Sequence, residues 1–271
     1  MYPQRPLDAF ASLWRNRRLA FQLARRDVVG RYRGSYLGLL WSFFNPLLML
    51  AAYTLVFGVV FKARWATGVS DSKIEFAIIL FVGLLVYGIF SECVNRAPGL
   101  VLGRANFVKR VVFPLEILPW VGLLSSPFHA VVNLLVLFTA MIFVFSGIAA
   151  TAPLFLLVLL PLVLFTLGFS WALAGIGVYV RDVAQTVGVV TAALMFVSPI
   201  FYPAAALPEQ FRWLFTLNPM AFIIEQARDV LIWGKLPDFQ QLGILTLVGA
   251  VIAWLGFVVF QRMRVGFADV L

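Results

Sequence analysis

Charge is scarce in this chain. Asp, Glu, Lys and Arg make up 12% of its 271 residues, about half the share of a soluble domain, against 62% hydrophobic residues. The single cysteine, Cys93, excludes an internal disulfide. The single histidine, His129, has no thiolate or carboxylate beside it, a poor start for a metal site, and is expected to hydrogen-bond to a neighbouring helix. The 12 acidic residues are scattered, none within three positions of another, so no aspartate cluster could hold Mg²⁺ for pyrophosphate chemistry. Gly234–Lys235 lacks both the upstream glycine and the following Ser or Thr of a phosphate-binding loop. Carboxylates are also missing from the centres of the apolar runs, which disfavours an ion-coupled transporter. These absences leave a conduit worked from outside or a structural membrane subunit. No catalytic residue, metal or cofactor is expected.

What the chain has is apolar length. Uncharged runs cover 34–61, 76–91, 117–180, 183–208 and 239–261. A helix needs about 20 apolar residues to cross the hydrocarbon core. The third run is too long for one crossing and breaks at "SGIAATAP" (Ser146–Pro153), whose small residues and proline read as a tight turn. No run alternates with period two, so barrel strands are excluded. The expectation is an all-α polytopic membrane protein with six transmembrane helices over residues 34–261. A cytoplasmic amphipathic interface helix (1–33) would precede them and a cytoplasmic tail (262–271) follow. The first apolar run is too long and too far in for a cleavable leader. Of the 21 Lys and Arg, fifteen fall on the side shared by both termini and six on the other. Positive residues are retained inside, so both termini are placed in the cytoplasm, and the basic balance reflects topology, not a nucleic-acid partner.

In "RRDVVGRYRGSYLGLLW" (Arg25–Trp41), a cationic collar abuts the first apolar run. Before it, Phe10, Trp14, Phe21, Ala24 and Val28 share one helical face, as in a helix lying in the headgroup layer. The collar arginines Arg25, Arg26, Arg31 and Arg33 either fix orientation or hold an anionic lipid headgroup, since guanidinium suits bidentate phosphate contact.

Four blocks carry a resemblance. "RRDVVGRYRGSYLGLLWSFFNPLLMLAAYTLVFGVVF", "NFVKRVVFPLEILP" (Asn106–Pro119), "VRDVAQTVGVVTAALMFVSPIFYP" (Val180–Pro203) and "LNPMAFIIEQARDVLIWG" (Leu217–Gly234) occur in this order over nearly the whole chain. Together they resemble the permeases of type-2 ABC exporters, in the branch that moves lipid-linked polysaccharides: O-antigen first, then capsule or teichoic-acid polymers. The resemblance implies a homodimer of six-span subunits in the inner membrane, paired with two copies of a separate ATP-binding subunit. It further implies that loop 91–114 carries a coupling helix opening at Ala97–Gly99. Asn95, Arg96, Arg104, Asn106, Lys109 and Arg110 would face the ATPase, with Arg181 and Asp182 in the second inner loop. Glu116 is expected to pair with Lys109 or Arg110. The collar would engage the lipid diphosphate.

A sliding glycan needs broad, register-free contact, which aromatic rings supply. The resemblance implies that spans one and five form the conduit: span one offers Trp41, Phe44, Tyr53, Phe57 and Phe61, with Ser42, Asn45 and Thr54 between, and span five offers Phe196, Phe201 and Tyr202. The competing reading of any one ring is lipid contact or helix packing. Gly168 and Ala172, and Gly249 and Ala253, mark close helix approach within a subunit or at a dimer seam. The outer segment 203–234 is cut by proline into two pieces, too apolar for a solvated loop and too short to cross. Two short re-entrant outer helices fit, forming a gate with Phe211, Trp213, Glu225 and Arg228. A drug or small-lipid permease of the same superfamily and a polyprenyl-phosphate sugar transferase are the weaker alternatives, the latter for want of an acid centre.

Overall fold

Every regular element in the computed structural model is a helix among the described residues, which are 6–32, 38–56, 73–105, 113–145, 147–203 and 209–271. In chain order these are α1 (Pro6–Arg15), α2 (Arg17–Tyr32), α3 (Trp41–Tyr53), α4 (Lys73–Arg96), α5 (Gly99–Leu102) and α6 (Leu118–Phe145). Then come α7 (Phe155–Tyr179), α8 (Val183–Val197), α9 (Arg212–Leu217), α10 (Pro219–Leu231), α11 (Phe239–Met263) and α12 (Phe267–Val270).

Among the described residues, four stretches are long and apolar enough to cross a membrane: Ile74–Arg96, Leu115–Phe145, Ala152–Tyr179 and Phe239–Val270. Trp41–Val56 and Val183–Val197 are apolar but shorter. Six crossings were expected from the apolar runs, and at 183–208 the helix covers only Val183–Val197 of the run. The 183–208 run holds Pro199, Pro203 and Pro208. Ser198, before the first of them, turns extended (φ −82, ψ 148) and ends α8, because proline's ring disfavours helical backbone in the residue before it.

The framework rests on α7 against α11. A methyl group on Gly256 would lie 2.0 Å from the Gly168 carbonyl oxygen, and one on Gly168 would lie 2.6 Å from that of Ile252. One on Gly249 would lie 3.1 Å from Leu164 Cβ. Gly175 meets Phe260 and Met263 in the same rising order, so the two helices run parallel. Glycine is required here because the backbones touch. The small-residue faces are therefore packing inside one chain. Trp171, fully buried on α7, meets Trp120 at 5.7 Å and Phe257 at 5.3 Å between ring centres, knitting α6, α7 and α11.

α4 packs against α6, α7, α8 and α10, and α3 lies on α6 and α4. The expected single interface helix is broken at Asn16 into α1 and α2, and each has two working faces. Ala9, Ser12, Ala20, Leu23 and Ala24 are buried, with α2 seated on α6. Phe10, Trp14 and Phe21 are exposed on the other side, as an apolar face meeting lipid would be. Ala24 was expected on that outward face and is instead buried.

The tail folds back. Phe267 is fully buried, 5.6 Å from the Phe260 ring.

Candidate functional site

The end of the bundle that carries α1 and α2 is tied together by two acids. Glu116, 6% exposed at the start of α6, accepts from Arg264 Nη1 at 2.6 Å and from Ser12 Oγ at 3.1 Å. Arg264 also donates to the Phe113 carbonyl at 3.2 Å, and Trp171 Nε1 to the Glu116 carbonyl at 3.0 Å. Trp120 Nε1 donates to the Ala9 carbonyl at 3.2 Å. One carboxylate thus joins α1, α6 and the C-terminal segment. Lys109 and Arg110, its expected partners, lie outside the described residues; its observed cation comes from the far end of α11.

Asp27 of α2 is the second tie. It accepts from Arg104 at 2.5 Å and lies 3.6 Å from Arg96 Nη2. Arg96 also approaches Glu92 at 3.8 Å and Ser125 Oγ at 3.4 Å. Two arginines expected to face an ATPase are thus engaged within the chain, clasping α2 from either side of α5. Pro98 opens α5 where "APG" predicts it, and Gly177 is glycine because a methyl there would lie 2.4 Å from the Pro98 carbonyl. Leu100 and Val101 are buried, so the short helix is rigidly seated on α7. Asn95 is exposed and accepts from Thr191 Oγ1 of α8 at 2.8 Å. Arg181 and Asp182 are exposed at the α7–α8 turn, and Asn106 lies outside the described residues.

On the collar, Arg25 and Arg26 are exposed and border, with Gln22, Val29 and Gly30, a hollow of about 370 Å³. The Arg31 side chain and all of Arg33 lie outside the described residues.

The aromatic sets divide. Trp41 and Phe44 are exposed on α3 and Tyr53 is half-buried, while Phe57 and Phe61 lie outside the described residues. Trp41 and Tyr53 border a cavity of about 250 Å³ that also takes Ser42 and Asn45 from α3 and His129 and Asn133 from α6. Phe196, at the end of α8, stacks with Phe201 at 5.6 Å, and the Tyr202 hydroxyl donates to the Phe196 carbonyl at 2.8 Å. Tyr202 meets Phe215 edge-on at 6.1 Å.

At the opposite end, the two pieces expected in 203–234 are α9, with a 3₁₀ turn before it, and α10. Asn218 caps α10 by accepting from Met220 N at 3.0 Å, and Gly234 at φ +64 follows its end. Arg228 is 0% exposed. It donates to the carbonyls of Pro199 at 2.6 Å, Ile200 at 3.0 Å and Ile79 at 3.2 Å, and to Glu225 Oε1 at 2.9 Å. The charge expected in an outer plug acts here as a brace between α10, α4 and the segment after α8. Trp213 is exposed, and the Phe211 side chain lies outside the described residues.

Sequence reasoning missed Asp27, Ser12, Arg264 and Trp171. For Asp27 a signal existed: it is the lone acid inside the arginine collar.

Over 264 residues the chain is 29% identical to the O-antigen export system permease protein RfbA of Myxococcus xanthus, covering 95% of this chain and 96% of that one. It is 25% identical over 251 residues to the Klebsiella pneumoniae protein of the same name, covering 92% and 93%. The polysialic acid transport protein KpsM of Escherichia coli is 23% identical over 241 residues, covering 87% and 90%. The ABC-2 type transporter family matches residues 18–232, which takes in α2 through α10. This chain belongs to the ABC-2 type transporter family.

Proposed function

We propose that this chain is the channel-forming permease subunit of an ATP-driven exporter that moves lipid-linked polysaccharide, O-antigen foremost, across the inner membrane. One observation carries the reading. The Myxococcus permease is matched over 96% of its length, so almost no part of an O-antigen export permease lacks a counterpart here. A capsule polymer is the second reading, favoured by the likeness to KpsM over 90% of that protein.

In this reading α3, α4, α6, α7, α8 and α11 make six crossings, α9 and α10 dip into the outer leaflet, and both termini are cytoplasmic. Two copies form the pore, since a passage on a two-fold axis obtains its symmetry by dimerisation. Two separate ATP-binding subunits drive it through loop 91–114. The seating of α5 on α7 supports that assignment, because a locked short helix passes on a push as a rigid-body movement. The collar engages the diphosphate, and the rings of spans one and five guide the sugar chain. The buried face of α10 supports a gate at 203–234 that closes by seating against α4 and α7.

Deletion of the chain tests the function. Surface polysaccharide should disappear while lipid-linked polymer accumulates inside, and the tagged chain should copurify with an ATPase. Unchanged surface polysaccharide would refute the proposal.

A further inference from the structure

The cavity between α3, α4 and α6 has a lining unusual for its depth. Tyr53 lies twelve residues, about 18 Å, along α3 from Trp41, and His129 lies eleven residues, about 16 Å, into α6. The space therefore runs from the collar end towards the middle of the bilayer. Polar side chains there are costly and mark paths for polar cargo. Five of them, Ser42, Asn45, Tyr53, His129 and Asn133, converge on about 250 Å³. The Asn45 and Asn133 side-chain amides make no hydrogen bond among the described residues. Trp41 and Asn45 are exposed at its rim, so the space is an open polar groove, with room for about eight waters at ~30 Å³ each.

The chemistry selects the ligand. Among the described residues no Asp, Glu, Lys or Arg borders the cavity, so its described lining offers nothing to a diphosphate. An acyl chain would leave the amides unsatisfied. A neutral, hydroxyl-rich ring satisfies both: amides and hydroxyls meet its hydroxyl groups, and the Trp41 and Tyr53 rings meet its C–H faces.

We propose that this cavity is a subsite for a neutral pyranose unit of the exported chain, with Asn133 of α6 opposite Asn45 of α3 as its hydrogen-bonding pair. The inference rests on the export reading and adds α6 to a conduit otherwise assigned to spans one and five.

Complementation of a deletion strain separates the two ideas. If the wild-type chain restores no surface polysaccharide, the export reading falls, and the subsite with it. Where it does restore it, Asn45→Leu and Asn133→Leu should each slow export about fivefold, the effect of one lost hydrogen bond. Both together should slow it more than tenfold at unchanged membrane level, and Asn133→Gln should recover most of the rate. Wild-type flux in the double variant overturns the subsite.

A second measurement avoids dependence on folding. In a Cys93→Ser background, N133C should react with the hydrophilic reagent 2-hydroxyethyl methanethiosulfonate, while V131C, on the exposed face of α6, should not. Stalling export with polymer in place should slow the reaction at 133 severalfold. Equal labelling at both positions, or labelling at 133 that polymer never slows, overturns the proposal.

Discussion

Arg228→Met is the perturbation whose cost follows most directly from the structure. The guanidinium is fully buried and donates to three backbone carbonyls from two segments outside its own helix, and to Glu225. Methionine fills a similar volume, so the cavity contribution is small and the loss is electrostatic. A hydrogen bond from a charged donor contributes about 1.5–3 kcal/mol, and the stranded carbonyls recover part of it by relaxation. Breaking a buried charged arrangement on one side typically costs about 3–5 kcal/mol, and that range is expected here. At about 2 °C per kcal/mol for a chain of this size, the melting temperature should fall by about 6–10 °C.

The assay is a heating series of the purified chain in detergent, followed by size exclusion. Arg228→Lys should fall between, because one ammonium cannot span three carbonyls. Gly83→Ala should shift the melt in the same direction by a smaller amount, since its methyl would lie 3.0 Å from Arg228 Nη2. A methionine variant melting within about 2 °C of wild type would show that the brace does not hold α10 against α4.

Two further perturbations probe the framework. Gly256→Ala should destabilise by about 1–3 kcal/mol, because the new methyl meets backbone on α7, whereas Gly243→Ala in the same helix meets nothing within 4 Å and should be neutral or stabilising; equal melts for the two would refute the close crossing. Glu116→Gln should cost about 3 kcal/mol by stranding the Arg264 cation, and the added change Arg264→Met should return part of that loss in a double-mutant cycle, while simple additivity would mean the pair is not coupled.

Much of the architecture was legible because its signals are local. The turn at 147–151, the opening of α5 at Ala97–Gly99 and the division of 209–231 into two helices all follow from proline, glycine and small residues, which act on the backbone where they stand. The ties were not legible, since each joins positions far apart in the chain: Asp27 to Arg104 across 77 residues, Glu116 to Arg264 across 148. Trp171 stood among many apolar residues in a block with no period to single it out. The length of α8 was not legible for a related reason. An uncharged run records what tolerates hydrocarbon, and proline decides separately how much of it is helix. Arg228 reads in sequence as an ordinary charge on a helix face, and only the converging carbonyls reveal a brace.

Charge is used differently at the two ends, and this bears on where the molecule moves. Arg228 is held by backbone carbonyls from fixed directions, an arrangement with one good geometry. Asp27 is shared between Arg104 at 2.5 Å and Arg96 at 3.6 Å, so α2 can trade one partner for the other without leaving the Asp27 carboxylate unpaired. A two-position clasp of that kind suits a joint, and a displacement of loop 91–114 should carry α2 and its collar with it. Asp27→Asn keeps the shape and removes the attraction. In the assembled transporter, export should fall about tenfold while ATP hydrolysis continues, because the push no longer reaches the collar. If hydrolysis and export fall together, or the export per ATP is unchanged, α2 is only an anchor and the transmission runs through α5 and α7 alone.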